Sequence, residues 1–445
     1  MNKADIPARW QWFNEARFGM FIHWGPYAVY GRGEQALNRE QIDHQEYADV
    51  ACKWNPQHYD ARVWADVAKQ AGMKYAVLTT RHHDGYCLWD TKFTDYSSVC
   101  QAPKRDFVRE YVDAFRAAGL RVGLYYSLID FRLPAWYDGP RRDPQGWEIA
   151  KKYVFDQVRE LLTNYGKIDV IWFDGAWPHT SKELESHKLI KMIRALQPDI
   201  LINDRLEWPQ YSYYWQIEGH PGVPKEAEIG DFGTPEQGIY GSTRHLWESC
   251  YTSTMRLWGN AIGEPWHSTA ALLKLFVDCA RQEGNFILNV GPQADGQFPP
   301  EYVERTMALG KWLAVHGEAI YGSERGDVSE FVTHGWQTVN GNNLYLILRN
   351  YDGRPTLRLP DLITPVKRAT LLTTGKELTF TQKGEEVVIN GLPPLRPTDL
   401  FPVIKLECTG KPQGNKYRTW GKDTTGYRAW AAKRGTSVWV DGKPR

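Results

Sequence analysis

The chain is predicted to fold as an α/β barrel followed by a small antiparallel β-sandwich, and three observations carry that prediction. Three segments share one pattern, an amphipathic helix, a glycine and then an apolar strand: ARVWADVAKQAGMKYAVLTT, REYVDAFRAAGLRVGLYYS and DQVRELLTNYGKIDVIWFDG. Their glycines, Gly72, Gly119 and Gly166, recur at equal spacings of 47 residues. A glycine just past a helix supplies the left-handed conformation that ends it, and strands apolar on both faces belong to parallel sheets covered by helices. Beyond about Gly326 the pattern changes to short strands broken by Gly, Pro and Asn, as in WQTVNGNNLYLILRN, TLRLPDL and RATLLTTGKELTFTQKGEEVVING. That spacing is the signature of an antiparallel sandwich.

Taken in order, RFGMFIHWG at residues 17–25 is the opening strand, and the three repeated units follow. A further unit reads KLIKMIRALQPDILINDR, and a late group, LLKLFVDCARQEGNFILNVGP then EYVERTMALGKWLAVHG, carries the alternation to about residue 320. Closed barrels and open doubly wound sheets both fit such alternation. No GxGxxG or GxxxxGK[ST] follows a strand to mark a nucleotide crevice, which favours the barrel. The expected division is a catalytic barrel over 1–325, a sandwich packed on it over 326–407, and an extension over 408–445 that carries Trp420, Trp430 and Trp439 and has no assigned role.

At 445 residues the chain exceeds the roughly 250–300 at which single cores stop growing, as two domains require. Its net charge of +1, from 54 basic and 53 acidic residues, creates no field that would gather nucleic acid or an anionic membrane. No nucleic-acid or membrane partner is expected, and the sequence leaves the oligomeric state open, a homo-oligomer included. The 20 Trp and 24 Tyr exceed what a generic core needs, and flat apolar faces are what sugar C–H surfaces stack on. Cys52, Cys87, Cys100, Cys250, Cys279 and Cys408 show no CxxC pairing, so neither a zinc knot nor a disulfide framework is expected. The first residues lack the apolar core of a signal peptide, and the expected location is the cytoplasm.

In an α/β barrel the reacting groups hang from the C-terminal ends of the strands. Unusual polar and aromatic residues recur there: His23 and Trp24, then His82, His83 and Asp84, then Tyr125 and Tyr126, Asp174, and finally Asp204 with Arg205. All are expected to face one mouth. Asp174, in VIWFDG, suits attack on an anomeric carbon or service as a base, and an N-cap for the next helix is the alternative. Arg205 is either a structural ion pair or a substrate contact. His23, His82, His83 and Asp84 are metal-ligand types, but adjacent strand residues point to opposite faces, so His82 and His83 cannot share an ion without a bulge. Hydrogen bonding of imidazoles to hydroxyls is preferred, with a structural role open for one of the pair. No metal site is expected.

The segments RFGMFIHWG, GEQALNRE, WADVAKQAGMKYAVLTTRHHDGYCLWDTKFTDYSS, GLRVGLYYS, VIWFDG, NDR, DFGTPEQ, NFILNVGPQADG and HGEAIYG together resemble the retaining α-L-fucosidases of glycoside hydrolase family 29. The resemblance spans nearly all of residues 10–325. It implies a (β/α)8-like barrel with a C-terminal β-sandwich, hydrolysis of terminal α-L-fucosyl linkages by double displacement, and no metal or organic cofactor. Position by position it implies Asp174 as nucleophile and Glu236 as general acid/base, with Glu218 and Glu248 as nearby alternatives for the second role. It implies His23, Glu34, His82, His83, Tyr125 and Arg205 as fucose contacts, and Trp172 and Trp258 as stacking walls. Gln35 stands where the family often has Trp. Phe21, Trp24 or Trp258 is expected to supply an apolar pocket for the sugar's methyl group. Two other classes remain beside this one: a fucose-binding barrel without catalysis, argued against by the presence of both carboxylates, and a metal-dependent hydrolase built on the His and Asp84 cluster.

Overall fold

The computed structural model describes residues 6–208, 229–239, 246–326, 328, 334–394, 400–415, 439–440 and 443–444. The chain divides into two compact units, Met1–Glu324 and Arg325–Arg445.

The first unit is built on a curled parallel sheet of seven strands: β1 (Phe18–Ile22), β2 (Tyr75–Arg81), β3 (Arg121–Ser127), β4 (Val170–Asp174), β5 (Leu201–Ile202), β6 (Glu248–Thr252) and β7 (Asn285–Val290). Their spatial order is β5-β4-β3-β2-β1-β7-β6, which leaves β5 and β6 at the two edges. Residues 232–236 fill the gap between them through parallel bridges Asn203↔Phe232, Gly233↔Trp247 and Glu236↔Cys250. This stave closes the barrel as its eighth element. It escapes strand reading because DFGTPEQ contains Gly and Pro, and Pro235 has no N–H to give a ladder.

The repeated units fold as their sequences predict. The helices Ala61–Gln70, Phe107–Ala117 and Pro144–Asn164 are capped by Asp60, Asp106 and Asp143, whose carboxylates accept backbone N–H groups of the first turn. Each helix is followed by its glycine in the left-handed region, with φ of +84°, +81° and +70° at Gly72, Gly119 and Gly166. The chain then enters β2, β3 or β4, whose residues are buried on both faces. Inside the barrel, Phe13, Phe21, Tyr75, Tyr125, Trp172, Phe232 and Ile287 form one apolar cluster. Gly19 makes room for it, since a Cβ there would lie 2.5 Å from the Tyr75 ring.

The second unit is an antiparallel sheet folded into a sandwich. From Thr356–Leu359 it runs through Glu386–Asn390, Lys376–Lys383, Val366–Leu371, Val403–Cys408 and Asn343–Leu348 to Gly335–Asn340. Its strands alternate, as in Thr356–Leu359, where Leu357 and Leu359 are buried and Thr356 and Arg358 exposed. Its core is aliphatic, including Leu344, Leu346, Leu359, Val387, Ile389, Ile404 and Leu406. Cys408 ends a strand, and residues 413–415 hydrogen-bond to 361–363. Trp420 and Trp430 lie outside the described residues; Trp439–Val440 pairs with Lys443–Pro444.

Candidate active site

The C-terminal ends of the barrel strands surround a cavity lined by His23, Glu34, His82, His83, Tyr125, Trp172, Asp174, Arg205, Glu236 and Trp258 among others. The ten residues that the resemblance names as nucleophile, acid/base, fucose contacts and stacking walls are therefore drawn to one place, from chain positions more than two hundred residues apart.

Asp174 is the last residue of β4 and one of the few groups there that retains some exposure. Its Oδ2 accepts a hydrogen bond from the Tyr125 hydroxyl at 3.1 Å, and its Oδ1 lies 3.3 Å from Nη1 of Arg205. The same Nη1 donates to Oε2 of Glu236 at 3.0 Å. One guanidinium nitrogen thus touches both carboxylates, and the two oxygens cannot be farther apart than those two contacts end to end. That limit falls below the roughly 6.5–9.5 Å typical of inverting pairs. Arg205 is itself fixed: its Nε and Nη2 donate to Thr234 Oγ1 and the Thr234 carbonyl at 2.9 and 3.0 Å, and its guanidinium lies 4.6 Å from the Trp172 ring centroid. Thr234 Oγ1 donates its own hydrogen bond to Asp204 Oδ1 at 2.7 Å. Burial opposes the charge on Arg205, but the surrounding carboxylates outweigh it and hold its pKa above the usual value.

The opposite wall carries the imidazoles. A register shift between Thr79 and Arg81 interrupts the β2–β3 ladder, and the strand stops at Arg81. Strict alternation is lost just there, so His82 and His83 both reach the cavity, with ring centroids 4.0 Å apart. His83 Nδ1 lies 2.7 Å from Ser127 Oγ and its Nε2 lies 3.7 Å from Asp174 Oδ2. His23 Nδ1 lies 2.6 Å from Asn289 Oδ1. Burial drives the pKa of His23 and of His83 down to about 3, so both are neutral at ordinary pH. Glu34 is almost completely buried, and its Oε2 accepts the backbone N–H groups of Trp258 and Gly259, each at 3.0 Å. Tyr125 stacks on Trp172 with centroids 5.6 Å apart, and Phe21 and Trp258 complete the apolar lining.

Four expectations change. Trp24 does not face the mouth: it packs among Trp54, Tyr59, Trp64 and Phe107, where its indole N–H reaches the Gln293 carbonyl. Tyr126 points outward to Gln157, because adjacent residues on a strand alternate. Asp84 is bound to the Tyr47 hydroxyl at 2.7 Å, and among the described residues no group of three His, Cys, Asp or Glu side chains is arranged to hold a metal. Glu248 sits in the barrel interior, fully buried, accepting from Trp172 Nε1 at 3.0 Å and from the Tyr75 hydroxyl. Burial raises its pKa to about 7, but it belongs to the floor and does not line the cavity. Glu218 lies outside the described residues. The N-cap alternative for Asp174 also fails, since Thr180 caps the next helix through a reciprocal bond with Glu183.

Sequence reading missed Trp177, Thr234 and Asn289. Each carried a usable signal: Trp177 follows VIWFDG, Thr234 lies within DFGTPEQ, and Asn289 is a polar residue near the C-terminal end of β7. Gln35 lines the cavity where an aromatic was noted as absent, and Trp177 supplies an aromatic elsewhere on the wall.

The sequence model of the alpha-L-fucosidase family matches residues 2–318. The chain is 30% identical over 438 residues to the tissue alpha-L-fucosidase of Bos taurus, covering 91% of this chain and 89% of that protein. Alpha-L-fucosidase isoenzyme 1 from Paenibacillus thiaminolyticus superposes with a TM-score of 0.81 at 36% identity, covering 90% of this chain and 99% of that one. A family 29 alpha-L-fucosidase from Bacteroides thetaiotaomicron, trapped as a covalent intermediate with 2-fluoro-fucosyl fluoride, superposes with a TM-score of 0.80 at 28% identity, covering 91% and 97%. These relatives overturn the cytoplasmic expectation, which conflicts with a group of tissue and plasma alpha-L-fucosidases. The error has a physical origin. The expectation rested on local hydropathy, which reports whether a segment is apolar enough to enter a bilayer, and no described helix is long and apolar enough to cross one, but hydropathy does not encode a compartment.

Proposed function

The chain belongs to the α-L-fucosidases of glycoside hydrolase family 29, and from that premise we propose how its residues divide the work of hydrolysing a terminal α-L-fucosyl linkage with retention. Asp174 attacks the anomeric carbon while Glu236 protonates the departing glycosidic oxygen, giving a fucosyl-enzyme ester and a free aglycone. Glu236, now a carboxylate, takes a proton from water, whose oxygen attacks the same carbon and expels Asp174. The observation that carries this division is the shared contact of both carboxylates with Arg205 Nη1. Arg205 also pairs with the nucleophile's charge before attack through Oδ1, while the Tyr125 hydroxyl holds Oδ2.

His23, His82, His83 and Glu34 are placed to hydrogen-bond the sugar hydroxyls, Trp172 and Trp258 to stack on its ring, and Phe21 with Trp258 to meet its methyl group. Glu248 is a poor rival for the acid/base role, because a group sealed beneath Trp172 and Tyr75 cannot reach a leaving group. The test is hydrolysis of an aryl α-L-fucoside with product configuration followed by NMR. Retained configuration in the wild type, with azide restoring turnover to Glu236→Ala and yielding a fucosyl azide, is the expected result. Azide rescue at Glu248→Ala and none at Glu236→Ala would transfer the role.

A further inference from the structure

A neutral imidazole carries one proton, and which nitrogen holds it decides whether the ring offers the sugar a donor or an acceptor. At His23 that choice can be followed bond by bond. Asn289 Nδ2 lies 2.6 Å from the Trp258 carbonyl oxygen. A carbonyl only accepts, so the nitrogen of the Asn289 amide must face it and the amide oxygen must face His23. That oxygen, 2.6 Å from His23 Nδ1, also only accepts, so the proton of His23 sits on Nδ1. Nε2 is left with a lone pair.

We propose that Asn289 is a positioning residue that holds His23 in its Nδ1–H form, so that Nε2 accepts a hydrogen bond from a sugar hydroxyl, and that the same amide anchors the Trp258 wall. The inference rests on the reading of His23 as a sugar contact. Trp258 is gripped on both sides of its backbone, its N–H by Glu34 Oε2 and its carbonyl by Asn289 Nδ2. A hydrogen-bonded chain therefore runs Glu34, Trp258, Asn289, His23 along one lip of the cavity. The 31–34 segment pairs beside it, through Gly33 N to the Asn260 carbonyl and Ile262 N to the Gly31 carbonyl, and keeps the lip in register. Among the described residues no carboxylate pairs with His23. The groups packed around it are Phe21, His82, Tyr125 and Trp258, with His83 and Arg205 acting at longer range, and both of the latter oppose a positive charge on it. A neutral amide preserves that arrangement, whereas a carboxylate at the same place would not.

His83 shows the same logic with different parts. Ser127 Oγ donates its single proton to the Ile129 carbonyl at 2.6 Å, so it can only accept from His83 Nδ1 at 2.7 Å, and Nε2 is again the acceptor. Two imidazoles on neighbouring strands thus present lone pairs, a set matched to a ligand rich in hydroxyl donors.

The first test is ¹⁵N NMR of the histidine-labelled enzyme, with the His23 signals assigned by their loss in His23→Gln. The expected pattern is a protonated Nδ1 and an unprotonated Nε2 that does not titrate between about pH 5 and 8; an Nε2–H pattern, or titration in that range, would overturn the proposal. The second test is the pH dependence of kcat/KM in Asn289→Asp, whose carboxylate keeps the volume but cannot donate to Trp258 and stabilises a cationic, doubly protonated His23. Activity is expected to fall by about tenfold or more on the acid side and to recover as pH rises. A loss that is uniform across pH would mean a merely structural role. Unchanged kcat/KM in His23→Gln would instead defeat the reading of His23 as a sugar contact, whichever nitrogen proves to be protonated.

Discussion

The two units of the chain bury different things. The sandwich core is closed with aliphatic side chains, and its strands shed polarity to the outside by alternation. The barrel buries His23, Glu34, His82, His83, Arg205 and Glu248, each almost wholly shielded and all at or beneath one end of the same sheet. Burying a charge or an imidazole without gain costs several kcal/mol, so a fold that collects six of them in one place is spending stability on that place. The contrast sets the unit that holds the candidate site apart from the sandwich. It also implies that changes in the barrel mouth should alter turnover more than folding, while changes in the sandwich core should do the reverse.

The sharpest break of that comparison is Asp174→Ala. It should lower kcat/KM by on the order of 10⁴-fold or more while leaving the melting temperature within a few degrees, read by aryl fucoside kinetics and calorimetry on the same sample. A large fall in melting temperature would place Asp174 among the structural residues instead. Next in size is Leu406→Ala in the sandwich core. It should cost about 2–5 kcal/mol of that unit's stability in denaturant titration, with kcat/KM of the folded enzyme unchanged.

The buried titratable groups sharpen the contrast through opposite pH signatures. His23 and His83 have folded pKa values near 3 against 6.5 unfolded, so the unfolded chain binds more protons between these values. Their contribution is present above about pH 6.5 and is lost as pH falls toward 3. Glu248 is raised to about 7 from 4.5, so here the folded chain holds the extra proton. Its contribution is present below about pH 4.5 and is lost as pH rises through 7, at up to about 1.4 kcal/mol per pH unit. Relative to wild type, Glu248→Gln should therefore gain stability as pH increases from 5 to 8; a constant difference would show that Glu248 is ionised throughout. The smallest effect is expected at Thr381, exposed on a sandwich strand, where Thr381→Val should change stability by less than about 0.5 kcal/mol and activity not at all.

Much of this was legible in the sequence because it is local. The helix, glycine and strand repeat specified β2, β3 and β4, and the rule that function hangs from strand ends singled out His23, His82, Asp174 and Arg205. Residues carrying a local signal of a different kind were misplaced: Trp24 and Tyr126 also stand at strand ends, yet one fills an aromatic cluster and the other faces the helices. The stave at 232–236 was invisible because its partners, Asn203 and Cys250, are distant in sequence and its own residues do not favour a strand.

What the sequence by itself determined is the layering, since period and glycine placement act over a few residues and need no distant partner. The family, too, followed from motifs that are contiguous in the chain. Only the tertiary structure decided which of two glutamates twelve positions apart reaches the cavity, and which nitrogen of His23 carries the proton. Both depend on what a distant strand places opposite: Tyr75 and Trp172 beneath Glu248, Arg205 beside Glu236, and the amide of Asn289 against His23.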